Sequence, residues 1–245
     1  RRDIEKLGYK RQFAIYDTDD STSVIKNILK SLNLSDKEYP PKAVRAMISD
    51  AKNRMLPPEE WLKDAGPDAR NRKYFEAYRL YEKTLKGNNA LDFDDLLMKT
   101  LELLAQNPPV LEYYQNRFEY ILVDEYQDTN AAQYELVHML SEKKRNLCVV
   151  GDDDQSIYGW RGADIRNILD FEKDFPDAKV VKLEQNYRST GNILDAANQV
   201  IAHNHGRKEK ALWTQSGEGE KIALYHALDE RDEAAFIAAM TRKLI

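Results

Sequence analysis

Cysteine is almost absent. Cys148 is the only one, so no disulfide can form within the chain and no cysteine cluster can hold zinc. It lies in the apolar run LCVV, where a buried, reduced thiol is expected, and this points to the cytoplasm. The four histidines, His138, His203, His205 and His226, lack the spacing of a metal-ligand set, and the close pair His203 and His205 reads as a solvated loop. Long apolar runs are also missing: nothing approaches 18 residues, so no transmembrane helix is expected. The N-terminal RRDIEKLGYK has no apolar stretch of the kind a signal peptide needs. Positive charge is not in excess either. At a formal net charge of −5, bulk electrostatics do not advertise nucleic acid, although a strand held by stacking and local cations stays open. No repeat or low-complexity segment is present.

What is there describes a folded chain. Apolar residues make up 42% and charged residues 32% of 245 residues, which suits one large domain or two small ones with exposed helices. The first 118 residues read as nearly all helical, after a short β-like piece at Phe13–Tyr16. Asp17–Ser21 turns into a helix carrying Val24, Ile25, Ile28, Leu29 and Leu32 at helical spacing. Pro40-Pro41 opens a second helix, with Val44, Met47, Ile48 and Ala51 on one face. A third, over 70–85, aligns Tyr74, Tyr78, Tyr81 and Leu85 in a stripe expected to pack. Asp92 in LDFDDLL is a plausible N-cap for a fourth.

The pattern then changes. Apolar runs at Ile121–Val123, Leu147–Val150, Val180–Leu183 and Ile222–Leu224 alternate with helical stretches at Ala131–Leu140, Ile165–Phe171 and Ile193–Ile201. Strand, helix, strand at this spacing predicts parallel crossovers, hence an α/β second half with strands buried on both faces. Ligands of such sheets bind outside the carboxyl ends of the strands, and there the polar residues gather. Tyr120–Asp128, YILVDEYQD, runs from strand into the paired acids Asp124 and Glu125, which suit a magnesium-bound phosphate and the activation of an attacking water. The second strand runs into GDDDQSIYGWRGAD. There Gly151 is expected to permit a tight turn, and Gln155 can donate to a phosphate oxygen and accept from a water. Tyr158, Trp160 and Arg161 offer aromatic faces and a guanidinium suited to a single strand. The third ends in LEQNYRST, where Arg188 offers a fork of donors to phosphate and Tyr187 a ring for a base. Ser189 or Thr190 can cap the next helix.

DE, GDxxQ and NYR at three strand ends resemble the UvrD/PcrA/Rep-type superfamily 1A DNA helicases, and within them the PcrA branch. DEYQDTN resembles motif II (Walker B), GDDDQSIYGWRGAD motif III and LEQNYRST motif IV; LDFDDLL and RRDIEKLGYKR are similar too, so the likeness covers essentially the whole chain. It implies a RecA-like parallel sheet of the P-loop NTPase kind with an all-helical insertion: 1–118 as a 1B-like helical domain, 119–184 as the later part of domain 1A, and 185–245 as the start of domain 2A. It implies ATP and Mg²⁺, with Asp124 and Glu125 at the metal, largely through water and ATP, and Glu125 activating the water. Gln155 would sense the γ-phosphate, Arg188 would act as an arginine finger, and Tyr187 would stack on adenine. Phe93, Tyr158, Trp160 and Arg161 would contact single-stranded DNA. Expected partners are single-stranded and 3′-tailed duplex DNA, with repair proteins or RNA polymerase as protein partners, in a bacterial cytoplasm. The activity implied is 3′→5′ translocation and unwinding in repair or replication.

The pattern GxxxxGK[ST] is absent, since none of the ten glycines begins it. The chain is therefore expected to be an internal fragment that is inactive by itself. Two other readings share the same residues. Asp124, Glu125, Asp152, Asp153 and Asp154 could form the acidic site of a metal-dependent phosphoesterase, and the motor could be the helicase subunit of a recombination helicase-nuclease. A binding module without turnover is the reading closest to the isolated fragment.

Overall fold

The computed structural model describes residues 1–208 and 210–245, with the side chain of Arg161 outside the described residues. Two compact units are present, Arg1–Ala178 and Lys179–Ile245. No helix among the described residues is long and apolar enough to cross a membrane.

The first unit opens with β1 (Ala14–Tyr16) and α1 (Thr18–Ser31). Asp17 starts α1 by accepting the backbone N–H groups of Asp19 and Asp20 at 2.8 and 2.9 Å, which satisfies donors that a helix start otherwise leaves unpaired. Proline at the first helical position opens α2 (Pro41–Asn53), α3 (Pro58–Ala65) and α6 (Pro108–Arg117); its missing N–H is lost at no cost there. The long helix α4 (Ala69–Gly87) buries Tyr78, Tyr81 and Leu85 against Ile25, Leu29, Val44, Ile48 and Trp61. The tyrosine stripe is thus core, as its spacing indicates. Burial raises the Tyr78 and Tyr81 hydroxyls well above their ordinary range, and the charge of nearby Lys52 opposes this only in part.

One element of the helical half is not evident from the sequence. β2 (Ala90–Asp92) pairs in parallel with β1, Ala14 opposite Ala90 and Tyr16 opposite Asp92. Asp92 then caps α5 (Phe93–Gln106) in a capping box, accepting Asp95 N–H at 2.8 Å while Asp95 accepts the Asp92 N–H at 3.2 Å.

β3 (Ile121–Val123), α7 (Ala131–Ser141) and β4 (Leu147–Val149) form the expected crossover, with β3 and β4 parallel and Ile121 opposite Leu147. The stretch expected as one helix over 165–171 is two short helices, α8 (Arg166–Leu169) and α9 (Phe171–Asp174), which meet at Asp170. Burial on both strand faces is not what the structure shows: Leu122 is 77% exposed and Cys148 is exposed as well. In a two-stranded sheet, apolar residues on the face that no helix covers stay in contact with solvent. The buried thiol expected at Cys148 is corrected for the same reason.

The second unit holds α10 (Gly191–Ile201) and α11 (Glu230–Leu244). Val180–Leu183 and Ile222–Leu224, expected as strands, form no ladder. The pairing among its described residues is a single bridge between Gln185 and Trp213. An apolar run states a preference for burial, whereas a strand also needs a partner segment to take its backbone groups, and Leu183 and Leu224 are 75% and 90% exposed. Side-chain capping of α10 by Ser189 or Thr190 is not used either. The Gly191 and Asn192 N–H groups donate to the carbonyl oxygens of Gly217 and Glu218, at 2.8 and 2.9 Å.

Candidate active site

At the end of β3 the chain enters the acidic segment. Glu125 adopts the left-handed conformation, φ 50° and ψ 41°, a region that costs a residue with a Cβ about 1–3 kcal/mol and persists only when its surroundings impose it. They do so here. Asp124 Oδ1 accepts the Glu125 N–H at 2.9 Å, Gln127 Nε2 donates to Glu125 Oε2 at 2.8 Å, and Glu125 O accepts the Asp128 N–H at 2.9 Å. Tyr126, buried and edge-on to Phe171 at 5.7 Å, anchors the turn. Burial pushes its phenol up to about 12, so it stays neutral.

Gln127 also reaches the second strand end. Its Oε1 accepts the Asp152 N–H at 3.0 Å, and its carbonyl oxygen accepts from Ser156 Oγ at 3.4 Å. Asp152 in turn accepts from Gln155 Nε2 at 2.8 Å and from the Asp154 N–H at 3.0 Å. Glu125, Gln127, Asp152 and Gln155 are therefore linked by an unbroken series of hydrogen bonds. Residue type and spacing do not single out Gln127. The available signal is an amide, able both to donate and to accept, set between acids directly after a strand.

Gly151 has a different role from the one expected. It is not among the left-handed glycines. Its requirement is space: a Cβ there would lie 2.6 Å from Gln127 Oε1, 2.6 Å from Ile168 Cδ1 and 3.2 Å from the Tyr126 backbone N.

The donor set suits Mg²⁺. Asp124 spends one carboxylate oxygen on the Glu125 N–H, leaving its other oxygen as a hard donor at the strand end, and one carboxylate oxygen of Asp128 is buried without a hydrogen-bond partner. Asp152, Asp153 and Asp154 also lie together, with ligand atoms within 4.8 Å of one another, but both oxygens of Asp152 already accept hydrogen bonds.

The aromatic loop follows. Tyr158 and Trp160 flank Gly159, with ring centroids 6.4 Å apart and Trp160 74% exposed; the side chain of Arg161 lies outside the described residues. Gly162, at φ 82°, ends the turn in a conformation that favours glycine. Ala163 bridges to Asn130, and Asp164 N–H and Asn167 Nδ2 donate to Thr129 O, both at 3.0 Å. The loop is thus fastened to the residues immediately after the acidic turn. Phe93, first residue of α5 and 62% exposed, belongs to the same unit. Asn53 joins the two regions: its Nδ2 donates to Asp94 Oδ1 at 3.3 Å, and its Oδ1 accepts from Asn130 Nδ2 at 2.6 Å.

The first unit therefore carries Asp124, Glu125, Gln155, Tyr158, Trp160 and Phe93. Tyr187 and Arg188 belong to the second. There Asn186 Oδ1 accepts the N–H groups of Arg188 and Ser189 at 2.9 and 2.8 Å, and the Asn186 N–H donates to Trp213 O at 2.7 Å. This turn leaves both side chains exposed.

Residues 1–176 match the family model described as UvrD/REP helicase N-terminal domain, and residues 181–245 that of the UvrD-like helicase C-terminal domain. Over 237 residues the chain is 54% identical to ATP-dependent DNA helicase PcrA of Staphylococcus epidermidis, and equally to that of Staphylococcus aureus. Each match covers 97% of this chain and 32% of the relative, so the chain spans about a third of the length of these curated relatives. Motif content, parallel α/β architecture and a family match over most of its length together show that the chain belongs to the UvrD/REP helicase family.

Proposed function

We propose that this chain is part of a DNA motor that couples ATP hydrolysis to 3′→5′ translocation on single-stranded DNA and to unwinding of 3′-tailed duplexes. The observation that supports this most directly is the hydrogen-bond series from Glu125 through Gln127 and Asp152 to Gln155, followed at once by the loop that exposes Trp160. Phosphoryl transfer asks the protein mainly to position groups and to stabilise charge. In this reading Glu125, held by Gln127, takes the proton of the attacking water. Gln155 donates to the γ-phosphate and passes its state to the aromatic loop. Asp124 holds Mg²⁺, which when bound neutralises phosphate charge. Arg188 steadies charge on the transferring group, and Tyr187 stacks on adenine. Phe93, Tyr158, Trp160 and Arg161 hold the strand.

The division into a 1B-like helical part (1–118), the later part of domain 1A (119–184) and the start of 2A (185–245) belongs to the same reading. So does the inactivity of these 245 residues by themselves; DNA-stimulated ATPase from them alone would overturn that part. In the complete protein, Glu125→Gln is expected to abolish ATP hydrolysis while a fluorescent nucleotide analogue still binds. Hydrolysis at the unaltered rate would remove Glu125 from its role.

A further inference from the structure

Within the first unit a cleft of about 170 Å³ opens between the starts of α1 and α5 and the middle of α2, lined by Tyr16, Thr18, Arg45, Ser49 and Phe93 among others. Arg45 brings an unmet need to it: its Nε is buried with no hydrogen-bond partner. Arg45 is half-exposed, but an Nε–H held away from water needs an acceptor.

The acids that line the same cleft are already engaged. Asp17 accepts two N–H groups at the start of α1. Asp92 accepts from Lys52 Nζ at 2.8 Å, from the Tyr81 hydroxyl at 3.0 Å and from the Asp95 N–H. Asp94 accepts from Asn53 and from the Ser49 hydroxyl, and burial raises its carboxyl above the ordinary range. The remaining polar lining is hydroxyl: Ser49 bonds Asp94 and Ser21 bonds Tyr81, and Thr18 stands beside them at the start of α1. Arg45, Ser49 and Asn53 are spaced four apart on α2 and so share one ridge, and that ridge reaches α5 through the Asn53–Asp94 bond.

We propose that Arg45 binds a backbone phosphate of the single strand whose base stacks on Phe93, with the Thr18 hydroxyl as a neutral donor beside it. A guanidinium matches a phosphate with paired donors, and an exposed aromatic ring beside a cation is the arrangement that grips a single strand without reading its sequence. The inference rests on Phe93 being a stacking residue, as proposed above.

The test uses the complete protein and a fluorescent oligo-dT, with affinity measured by anisotropy across a salt series for the parent, Arg45→Ala, Arg45→Lys and Phe93→Ala. Arg45→Ala should weaken binding several-fold and lessen the slope of log affinity against log salt by about 0.7, the value for one phosphate contact on a single strand. Arg45→Lys should keep the slope. Phe93→Ala should weaken binding with the slope unchanged. If Phe93→Ala weakens binding while Arg45→Ala leaves the slope as it was, Arg45 touches no phosphate and Phe93 keeps its role. A lowered melting temperature for Arg45→Ala with an unaltered slope likewise removes the phosphate contact and makes the residue structural. If Phe93→Ala binds as tightly as the parent, the stacking reading fails and the Arg45 assignment fails with it.

Discussion

Gln127 donates its side-chain N–H to the Glu125 carboxylate at 2.8 Å, and its amide oxygen accepts the Asp152 N–H at 3.0 Å. One buried amide thus orients the candidate base and fixes the start of the next polar loop. Removing it leaves Glu125 in place chemically but free to turn. In the complete protein, Gln127→Ala should lower kcat for ATP hydrolysis about 10- to 100-fold, a part of the 10²–10⁴ that a positioned base contributes. KM for ATP should change little, because Gln127 acts through Glu125. An unchanged kcat in steady-state ATPase assays would dismiss the positioning role.

Gly151→Ala tests the same arrangement from the opposite side. The added methyl would sit 2.6 Å from Gln127 Oε1 and Ile168 Cδ1. Ile168 can adjust, but Gln127 is held by hydrogen bonds at both ends of its amide. Gly151→Ala should therefore reproduce the kcat defect of Gln127→Ala, and the double variant should be no worse than either single one, since residues acting as a unit are not additive. Multiplying defects in the double variant would show that the two act separately.

Much of this framework is legible in the sequence. Asp92 as a cap, the Pro40-Pro41 opening of α2 and the β3–α7–β4 crossover follow from local chemistry, because turns, caps and periodicity are written in neighbouring residues. The strands expected at Val180–Leu183 and Ile222–Leu224 depend on distant partners, and composition does not name a partner. β2 gives little signal because Ala90–Asp92 is only three residues long and leads straight into a helix. Asp124, Glu125 and Gln155 can be picked out by residue type. Gln127, Asn53 and Asn130 cannot, since their role is to bind groups 25 to 77 positions away in sequence.

Lys52 is the strongest case of such a hidden contact. Its Nζ lies 2.8 Å from carboxylate oxygens of Glu82, Asp92 and Asp95, and the side chain is 2% exposed. Burial by itself would lower its pKa, but the three acids outweigh that and hold it well above the usual lysine range. Lys52→Met should destabilise the first unit by about 3–5 kcal/mol, because it strands buried carboxylates without a counter-charge. Urea unfolding followed through the fluorescence of the buried Trp61 measures this; a loss under about 1 kcal/mol, the range of an exposed ion pair, would mean that the cluster is solvated.

One lysine does not balance three carboxylates, and this sets a pH dependence. Burial pushes the Asp95 carboxyl up to about 7, with Glu82 and Asp92 adding to the rise and Lys52 opposing it. The folded chain then keeps a proton that the unfolded chain releases above its ordinary value of 3.8. Stability contributed by this group falls as pH rises from about 4 to about 7, with a slope of at most about 1.4 kcal/mol per pH unit, and the penalty is complete above that window. Lys52 has the opposite dependence only at alkaline pH: its contribution is full below the ordinary lysine value and is lost as pH rises through the raised one. Asp95→Asn removes the titrating group. Relative to the parent, it should be less stable at pH 5 than at pH 8, a difference read from paired urea curves; parallel curves at the two pH values would show that Asp95 does not titrate there.

Trp160 and Phe93 make the most direct claim on DNA. Trp160 is raised on a short turn between Gly159 and Gly162 and remains 74% exposed, while the loop behind it is tied to Thr129 and Asn130. An indole held out on a fixed base offers a flat surface without an ordering cost on binding. Trp160→Ala in the complete protein should weaken single-strand binding by about 1–3 kcal/mol if one base stacks there, and Trp160→Phe should recover part of it. Because stacking is uncharged, the loss should persist from low to high salt, unlike a phosphate contact. Anisotropy titrations with oligo-dT at two salt concentrations decide this: a defect that vanishes at high salt would assign the Trp160 effect to neighbouring cations instead of the ring.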